Sequence, residues 1–533
     1  MITREFTHTV AFITCALLTP AGAWPQSAAT PVNAASFAPP TAPHGSIAQG
    51  SMFEVFGSNI AAAGVTIASE FPLQTELAGS SAKITVNGTT VDAFMVRTLQ
   101  NGRITAILPS NTPVGEGELV VTYNGAAAPP VPIRVTAHSP GLFTLNSGGY
   151  GAGIFTDARS FAVNTVADTF RAGDVVDAWL TGLGAAPFSD ALQPPLEDLS
   201  VDVHVTVGGR DARVLFKGRA GCCAGLDIVR FEAPQGVEGC YVPVQVTAGG
   251  SPSNVSTVAI ASDGGPCSDG DLSILTPDLL TKARETGWAS LAYVTISDSS
   301  QDRPDGPSNQ SESVSASFVR YNFDAFFSFT SIFGVAEPGS CAYYPIGALL
   351  GPQIDPERAE FQTLAAGNIS ISGPTGSLPL SGGGGLYHAF EIDTNFFQPG
   401  VYTVTGTGGR SVGAFSADFA VPEKPTTNLS TLSVVDRSRP LVITFDAPSA
   451  DHVLILGGAA DGYYYCLAES EARSLTIPSS ILSLVPPTPE GLPFSGDIHL
   501  WLIKTIPFEA PGVDRGLMIY TGANVSSPYL IFR

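Results

Sequence analysis

Three features of this sequence predict an all-β fold of tandem immunoglobulin-like β-sandwich domains. Short alternating apolar runs are broken repeatedly by Gly and Pro, helical periodicity is almost absent, and a set of landmarks recurs at a nearly constant offset. Runs such as Ile84-Thr85-Val86-Asn87-Gly88, Val205-Thr206-Val207-Gly208-Gly209 and Val401-Tyr402-Thr403-Val404 read as strands. Their Asn-Gly and Gly-Gly pairs supply the positive φ angles that two-residue hairpin turns need. One stretch has helical character, around Pro277-Asp278-Leu279-Leu280-Thr281-Lys282-Ala283-Arg284.

The 533 residues exceed what one core organises. At roughly 100–200 residues per domain they predict about three to five units. Residues 1–23 read as a secretory signal: Arg4 in a polar start, the apolar run Val10 to Leu18, then the small-residue site Ala21-Gly22-Ala23. That run is too short to span about 30 Å of hydrocarbon, and Pro20 follows it. Cys15 lies inside the apolar run rather than behind a small-residue box, which argues against lipid attachment. No later run reaches the roughly 18 uninterrupted apolar residues of a membrane helix, so no transmembrane segment is expected. The terminal Tyr529-Leu530-Ile531-Phe532-Arg533 alternates like the end of an outer-membrane barrel, but the final Arg favours a last sandwich strand.

The formal charge is −22 with only 14% charged residues, so the acidity is thinly spread. Phosphate backbones need a basic stripe, and no nucleic acid partner is expected. Extracellular proteins or glycans are the expected partners, and the expected location is outside the cell or at its surface, with the periplasm also open. Beyond Cys15 there are six cysteines, Cys222, Cys223, Cys240, Cys267, Cys341 and Cys466. An even number in an exported chain predicts disulfides, and no CxxC pair or nearby His favours zinc. A bridge between the neighbours Cys222 and Cys223 would be strained, so each is expected to pair elsewhere, with Cys240 and Cys267 nearest. Cys341 and Cys466 are then left for one another.

The internal repeat carries the domain organisation. Phe53 to Asn59 is echoed by Asp177 to Gly184, with Gly57 matching Gly182 at an offset of 125. The turn at Gly88 returns at Gly209, an offset of 121. Pro109 and Gly125 return as Pro234 and Gly250, both at 125. Residues 24–140 are therefore expected to form one β-sandwich and 141–262 a cysteine-bearing repeat of it. A Gly-, Ser- and Asp-rich linker, Ser262 to Gly270, leads to a β-rich third domain over 271–425. A sandwich-like fourth domain over 428–533 follows the punctuation Pro422 to Asn428.

The duplicated half resembles a known family, the repeat-containing domain of secreted acidobacterial (Solibacter-type) proteins. The matching stretches are Val32-Asn33-Ala34-Ala35-Ser36-Phe37, Gly45 to Asn59, Ser139-Pro140-Gly141-Leu142-Phe143, Thr181 to Ala185, and Gly249-Gly250 with Ser253-Asn254-Val255. The resemblance covers residues 32–261 and implies immunoglobulin-like sandwiches. It brings no activity. The cysteines of the second copy depart from the commoner pattern, as does the position of the domain directly behind the signal.

Catalytic patterns are weak. His138, His204, His388, His452 and His499 are scattered, and neither GxSxG nor HExxH is present. Gly182-Leu183-Gly184-Ala185-Ala186 lies between strands, so a turn outweighs a dinucleotide loop. No cofactor is expected, with calcium the one ion left as an alternative. Asp298, Asp302 and Asp305 offer it oxygen ligands in an acidic loop, but without EF-hand spacing and with Arg303 intruding, so that a solvated loop is favoured. Tyr463 and Tyr465 with Trp501 could form a glycan platform; alternation puts these two tyrosines on one strand face and Tyr464 on the other, so one face is expected in the core. The sequence thus reads as a secreted or cell-surface, non-catalytic protein with an adhesion, matrix or ligand-binding role. The alternative is a secreted carbohydrate-binding module or a glycoside hydrolase, whose paired carboxylates sequence alone does not locate.

Overall fold

The computed structural model describes residues 26–28, 31–38, 40, 45–99, 102–145, 148–267, 276–301, 309–322, 339–345, 361–392, 396–459, 462–488 and 496–533. The expected signal, 1–23, lies outside them. Strands are by far the dominant regular element of the described residues, with little helix, and they are arranged as tandem immunoglobulin-like sandwiches. No helix among them is long and apolar enough to cross a membrane.

The first sandwich packs two antiparallel sheets. One has β1 (Met52–Ser58), β3 (Phe94–Leu99) and β4 (Arg103–Ile107), with β4 central. The other has β2 (Ser80–Val86), β5 (Gly115–Tyr123) and β6 (Val131–Thr136), with β5 central. Alternation sends Phe53, Val55, Ile84, Val86, Ile104, Leu119 and Ile133 into the shared core.

The second sandwich repeats this order. Strands β7 (Val175–Thr181), β9 (Arg210–Ala220) and β10 (Asp227–Glu232) form one layer, with β10 central. Strands β8 (Val203–Val207), β11 (Gly239–Ala248) and β12 (Ser256–Ile260) form the other, with β11 central. One difference is that β9 runs on where the first copy breaks. Its first residues pair with β8 and the remainder with β10, so a single strand turns the corner between layers.

The ladders also adjust the repeat. Thr105 and Arg230 correspond at an offset of 125, but the residues opposite them, Glu54 and Asp177, correspond at 123. The first strand is thus displaced by two residues from the match of Gly57 with Gly182. Gly182 instead takes the place of Asn59, and both have positive φ, 99° and 54°. Asn and Gly are the residues that tolerate this conformation best, so the backbone feature persists while the letter changes.

Helix α1 (Pro277–Thr286) stands where the sequence predicts it. Thr276 caps it by accepting from the Leu279 amide, Pro277 opens it and Gly287 ends it at φ 75°.

The rest of the chain differs from the expected division. Strands β13 (Trp288–Gln301), β14 (Asn309–Asn322), β15 (Ser340–Pro345), β18 (Leu386–Ile392), β22 (His452–Ala459), β23 (Gly462–Glu469), β25 (Gly496–Phe508) and β26 (Arg515–Pro528) belong to one ten-stranded sheet. Its order is β15-β23-β22-β25-β26-β13-β14-β18 with short strands at the β18 side. The sheet therefore crosses the expected boundary between 271–425 and 428–533. The crossing is made by the parallel pair β13 with β26 and by β15 against β23. Two smaller sheets cover one face of it. Strands β16 (Ile369–Gly373), β17 (Gly376–Pro379), β19 (Gly400–Gly406) and β20 (Phe415–Val421) close one core around Phe318, Tyr402, Phe415 and Tyr520. Strands β21 (Leu441–Asp446) and β24 (Ser474–Ile477) close the other around Ile443, Ile455, Tyr464 and Leu500. The chain end forms a two-residue strand, Ile531–Phe532, parallel to Val434–Val435.

Candidate functional site

The large sheet places the three aromatic candidates on one face. Side chains alternate along a strand, so Tyr463 and Tyr465 of β23 share a face with Leu454, Leu456 and Gly458 of β22 and with Asp497, His499 and Trp501 of β25. The register sets three rows across the strands: Tyr463, Gly458, Asp497; Tyr465, Leu456, His499; Leu467, Leu454, Trp501. At about 4.8 Å per strand and 6.8 Å per two residues, this is a patch roughly 10 Å by 14 Å. The opposite face of the same strands, with Ile455, Tyr464, Ile498 and Leu500, is wholly buried, whereas Tyr463, Tyr465, His499 and Trp501 are half-buried.

Gly458 shapes the middle of the patch. A Cβ there would meet Cδ1 of Tyr463 at 2.8 Å, so the tyrosine ring leans across the glycine. On the other face Gly457 does the same for the hydroxyl end of Tyr464. Burial holds the Tyr464 phenol protonated well above its usual range.

Among the described residues, three buried polar atoms at successive face positions of β25 make no hydrogen bond: Oδ1 of Asp497, Nδ1 of His499 and Nε1 of Trp501. The other ring nitrogen of His499 lies 3.2 Å from Oδ2 of Asp497. A carboxylate oxygen, an imidazole nitrogen and an indole N–H together can accept and donate, beside aromatic surfaces that favour C–H contact. Leaving such a group unpaired costs about 1–3 kcal/mol. Asp497 was not singled out from the sequence, and His499 appears there only among the scattered histidines. The period-two spacing from Trp501 was a sufficient signal for both.

The remaining candidates do not join this patch. Asp298 accepts a hydrogen bond from the Tyr520 hydroxyl at 3.1 Å, and burial raises its pKa. Asp302 and Asp305 lie outside the described residues, and among those described no group of three or more His, Cys, Asp or Glu could hold a metal.

The disulfides are Cys240–Cys267, Cys341–Cys466 and the vicinal pair Cys222–Cys223. The last corrects the expectation that these neighbours pair elsewhere. Cys240 faces Cys267 with Cα atoms 5.4 Å apart, and Cys341 lies directly opposite Cys466 in the β15–β23 ladder, which leaves Cys222 and Cys223 each other. Their loop between β9 and β10 is flanked by Gly221 and Gly225, both with positive φ, which gives the turn its backbone freedom.

Buried carboxylates recur in the duplicated half at corresponding positions, each paired with arginine from a neighbouring strand. Glu54 is bound by Arg97, Arg103 and Thr105, with the Arg103 guanidinium also over the Phe37 and Phe56 rings. Asp177 is held by both arms of Arg230 at 2.6 and 2.8 Å. A third group joins the two sandwiches: Arg219 binds Asp227 and donates to the carbonyls of Gly184 and Gly50, while Asp190 accepts from the amide and hydroxyl of Ser110. Paired carboxylates held this way serve cohesion.

No family model and no curated protein matches the chain. Among solved structures it is similar to the I-band fragment I67-I69 from titin, at 6% identity over 69% of this chain and 95% of that one, with a TM-score of 0.11. It is similar to domains 4-9 of the surface layer protein SbsC, at 12% identity over 92% and 81%, with a TM-score of 0.17. It is also similar to Bacteroides ovatus SGBP-B of a mixed-linkage glucan utilization locus, solved with a mixed-linkage heptasaccharide, at 10% identity over 83% and 92%, with a TM-score of 0.13.

Proposed function

We propose that this chain is an exported, non-catalytic surface protein whose interlocked sandwiches hold a ligand-binding unit in place, in an adhesion or matrix role. The observation that carries the reading is the pairing of every cysteine from Cys222 onward. Structural disulfides persist in oxidising compartments, and small sandwiches outside a cell use them against unfolding. The leader-like residues 1–23 and the thinly charged surface, rich in Ser, Thr and Gly, agree with it. The buried Arg219 group supports a fixed mount rather than a flexible tether, because burying a charge between two domains rewards one geometry only. The resemblance of residues 32–261 to the acidobacterial repeat domain is part of the same reading.

The test is expression of the whole chain with its own leader in a bacterial host, followed by fractionation, thiol titration and a screen for hydrolysis of polysaccharides and esters. The expected protein is found in the envelope or medium, has no reactive thiol and turns nothing over. Retention in the cytosol with free thiols overturns the location, and turnover overturns the non-catalytic role.

A further inference from the structure

We propose that the Cys222–Cys223 bridge is a redox-active site, opened by a dithiol while the other two bridges stay closed, and that its opening loosens the joint between the two sandwiches. The three disulfides differ in what can reach them. Cys240, Cys267, Cys341 and Cys466 are all buried. Cys222 is exposed and Cys223 half-buried, in the loop between β9 and β10. Exchange needs a thiolate to reach a disulfide sulfur, so among the described bridges this one alone offers a target in the folded chain. Adjacency acts in the same direction. The peptide link holds the two Cα atoms about 3.8 Å apart, short of the roughly 4.4–6.8 Å of a relaxed bridge, and such bridges are the reducible ones. A thiolate of the dithiol attacks Sγ of Cys222, the S–S bond breaks and Cys223 leaves as the thiolate. The second thiol of the dithiol then resolves the mixed disulfide. The dithiol is oxidised to its own disulfide, and its two electrons and two protons end on the cysteines as two thiols.

The loop that carries this bridge is also seated on the first sandwich. Ala224 and Leu226 pack against a cluster that includes Met52, Leu73 and Ile107. Gly225 lies so close that a Cβ there would meet Cγ of Met52 at 2.7 Å and Cγ1 of Ile107 at 2.9 Å. Its carbonyl oxygen accepts from the Thr181 hydroxyl at 2.6 Å, and the Thr181 oxygen accepts from the Met52 amide at 2.9 Å, so a hydrogen-bond relay runs from the loop to β1. Within the loop the Leu226 amide donates to the Cys223 carbonyl at 3.3 Å. The closed ring fixes the backbone of Cys223 and with it the turn that presents Ala224 and Gly225. Gly221 and Gly225, both at positive φ, give that turn other conformations to enter once the ring opens. The effect is local, because the ring encloses no chain and global melting depends little on it.

The experiment is a titration of the full chain, as recovered from outside the cell, with dithiothreitol under native conditions. Alkylation with peptide mapping locates the thiols, and hydrogen exchange read by mass spectrometry follows the joint. Cys222 and Cys223 are expected to become alkylated together at a dithiothreitol concentration about tenfold or more below that which opens either other bridge. Exchange in the peptides holding Met52 and Leu226 is expected to rise several-fold at that point, while the β5 peptide keeps its rate. The double variant Cys222→Ser with Cys223→Ser should show the faster exchange from the start and no response to dithiothreitol. Free Cys222 and Cys223 in the protein as recovered overturn the redox site, and leave the exported reading standing where the other two bridges are closed. Opening of Cys240–Cys267 or Cys341–Cys466 at the same concentration overturns it as well. Selective opening of Cys222–Cys223 with exchange at Met52 and Leu226 unchanged overturns the coupling to the joint.

Discussion

Arg219 of the second sandwich donates across the domain boundary to the carbonyl oxygen of Gly50 in the first, at 3.3 Å, with its guanidinium almost wholly buried. The same side chain binds Asp227 and the Gly184 carbonyl, so one residue serves both the interior of its own domain and the joint. Removing one partner of a buried pair leaves the others as uncompensated charge, at about 3–5 kcal/mol. Arg219→Leu should therefore loosen the joint and the second sandwich together. Limited proteolysis with a thermal scan should show faster cleavage near the joint and a lowered transition, whereas Arg213→Leu, in an exposed pair with Glu232, should change little.

The correspondence of Asn59 with Gly182 separates two alignments of the repeat. A Cβ at Gly182 would collide with the Ser139 carbonyl oxygen, and its φ of 99° is one that L side chains avoid. Gly182→Ala should cost more than about 2 kcal/mol, combining backbone strain with the collision. Asn59→Gly meets no backbone strain, since glycine adopts that φ freely, and should cost less than Gly182→Ala. Denaturant melts of the two variants check both.

The three disulfides should contribute very unequally. The Cys341–Cys466 bridge spans a sequence separation of 125 and Cys240–Cys267 one of 27, whereas Cys222–Cys223 encloses no chain between its members. Loop-entropy arguments give about 5 and 3.5 kcal/mol for the first two and almost nothing for the third. The double change Cys341→Ala with Cys466→Ala should lower the melting of the C-terminal unit strongly. Cys222→Ala with Cys223→Ala should leave global melting close to the parent, as calorimetry would show.

Acid should weaken the C-terminal sheet through His452. Burial lowers its pKa below the usual 6.5, with Asp451 and Glu469 opposing by a smaller amount. The unfolded chain then takes up the proton first, so this contribution to stability is complete above pH 6.5 and is lost as pH falls through the window beneath it. A series of melts from pH 7.5 to about 5 should show a decline that His452→Gln reduces.

How far the sequence carried the fold can be judged residue by residue. The all-β fold and helix 277–286 followed from short-range signals, alternation on one side and Thr276, Pro277 and Gly287 on the other. The shared ten-stranded sheet did not, because its crossing pairs Leu291 with Arg515 and Ser340 with Leu467, and no local pattern announces partners so distant in the chain. The same remoteness hid the joint at Arg219, a residue that reads as an ordinary surface arginine until Asp227 and Gly50 surround it. Half of the candidate patch was legible as Tyr463, Tyr465 and Trp501. Asp497 and His499 were available through strand period, but their importance comes from unpaired atoms, which sequence does not display.

The most direct test of the central claim is peptide mapping by mass spectrometry, under non-reducing conditions, of protein recovered from outside the producing cell. The account predicts a mature chain beginning at Trp24, no free thiol, and the bridges Cys222–Cys223, Cys240–Cys267 and Cys341–Cys466. A chain that keeps residues 1–23, stays in the cytosol and carries reduced Cys341 and Cys466 would contradict it.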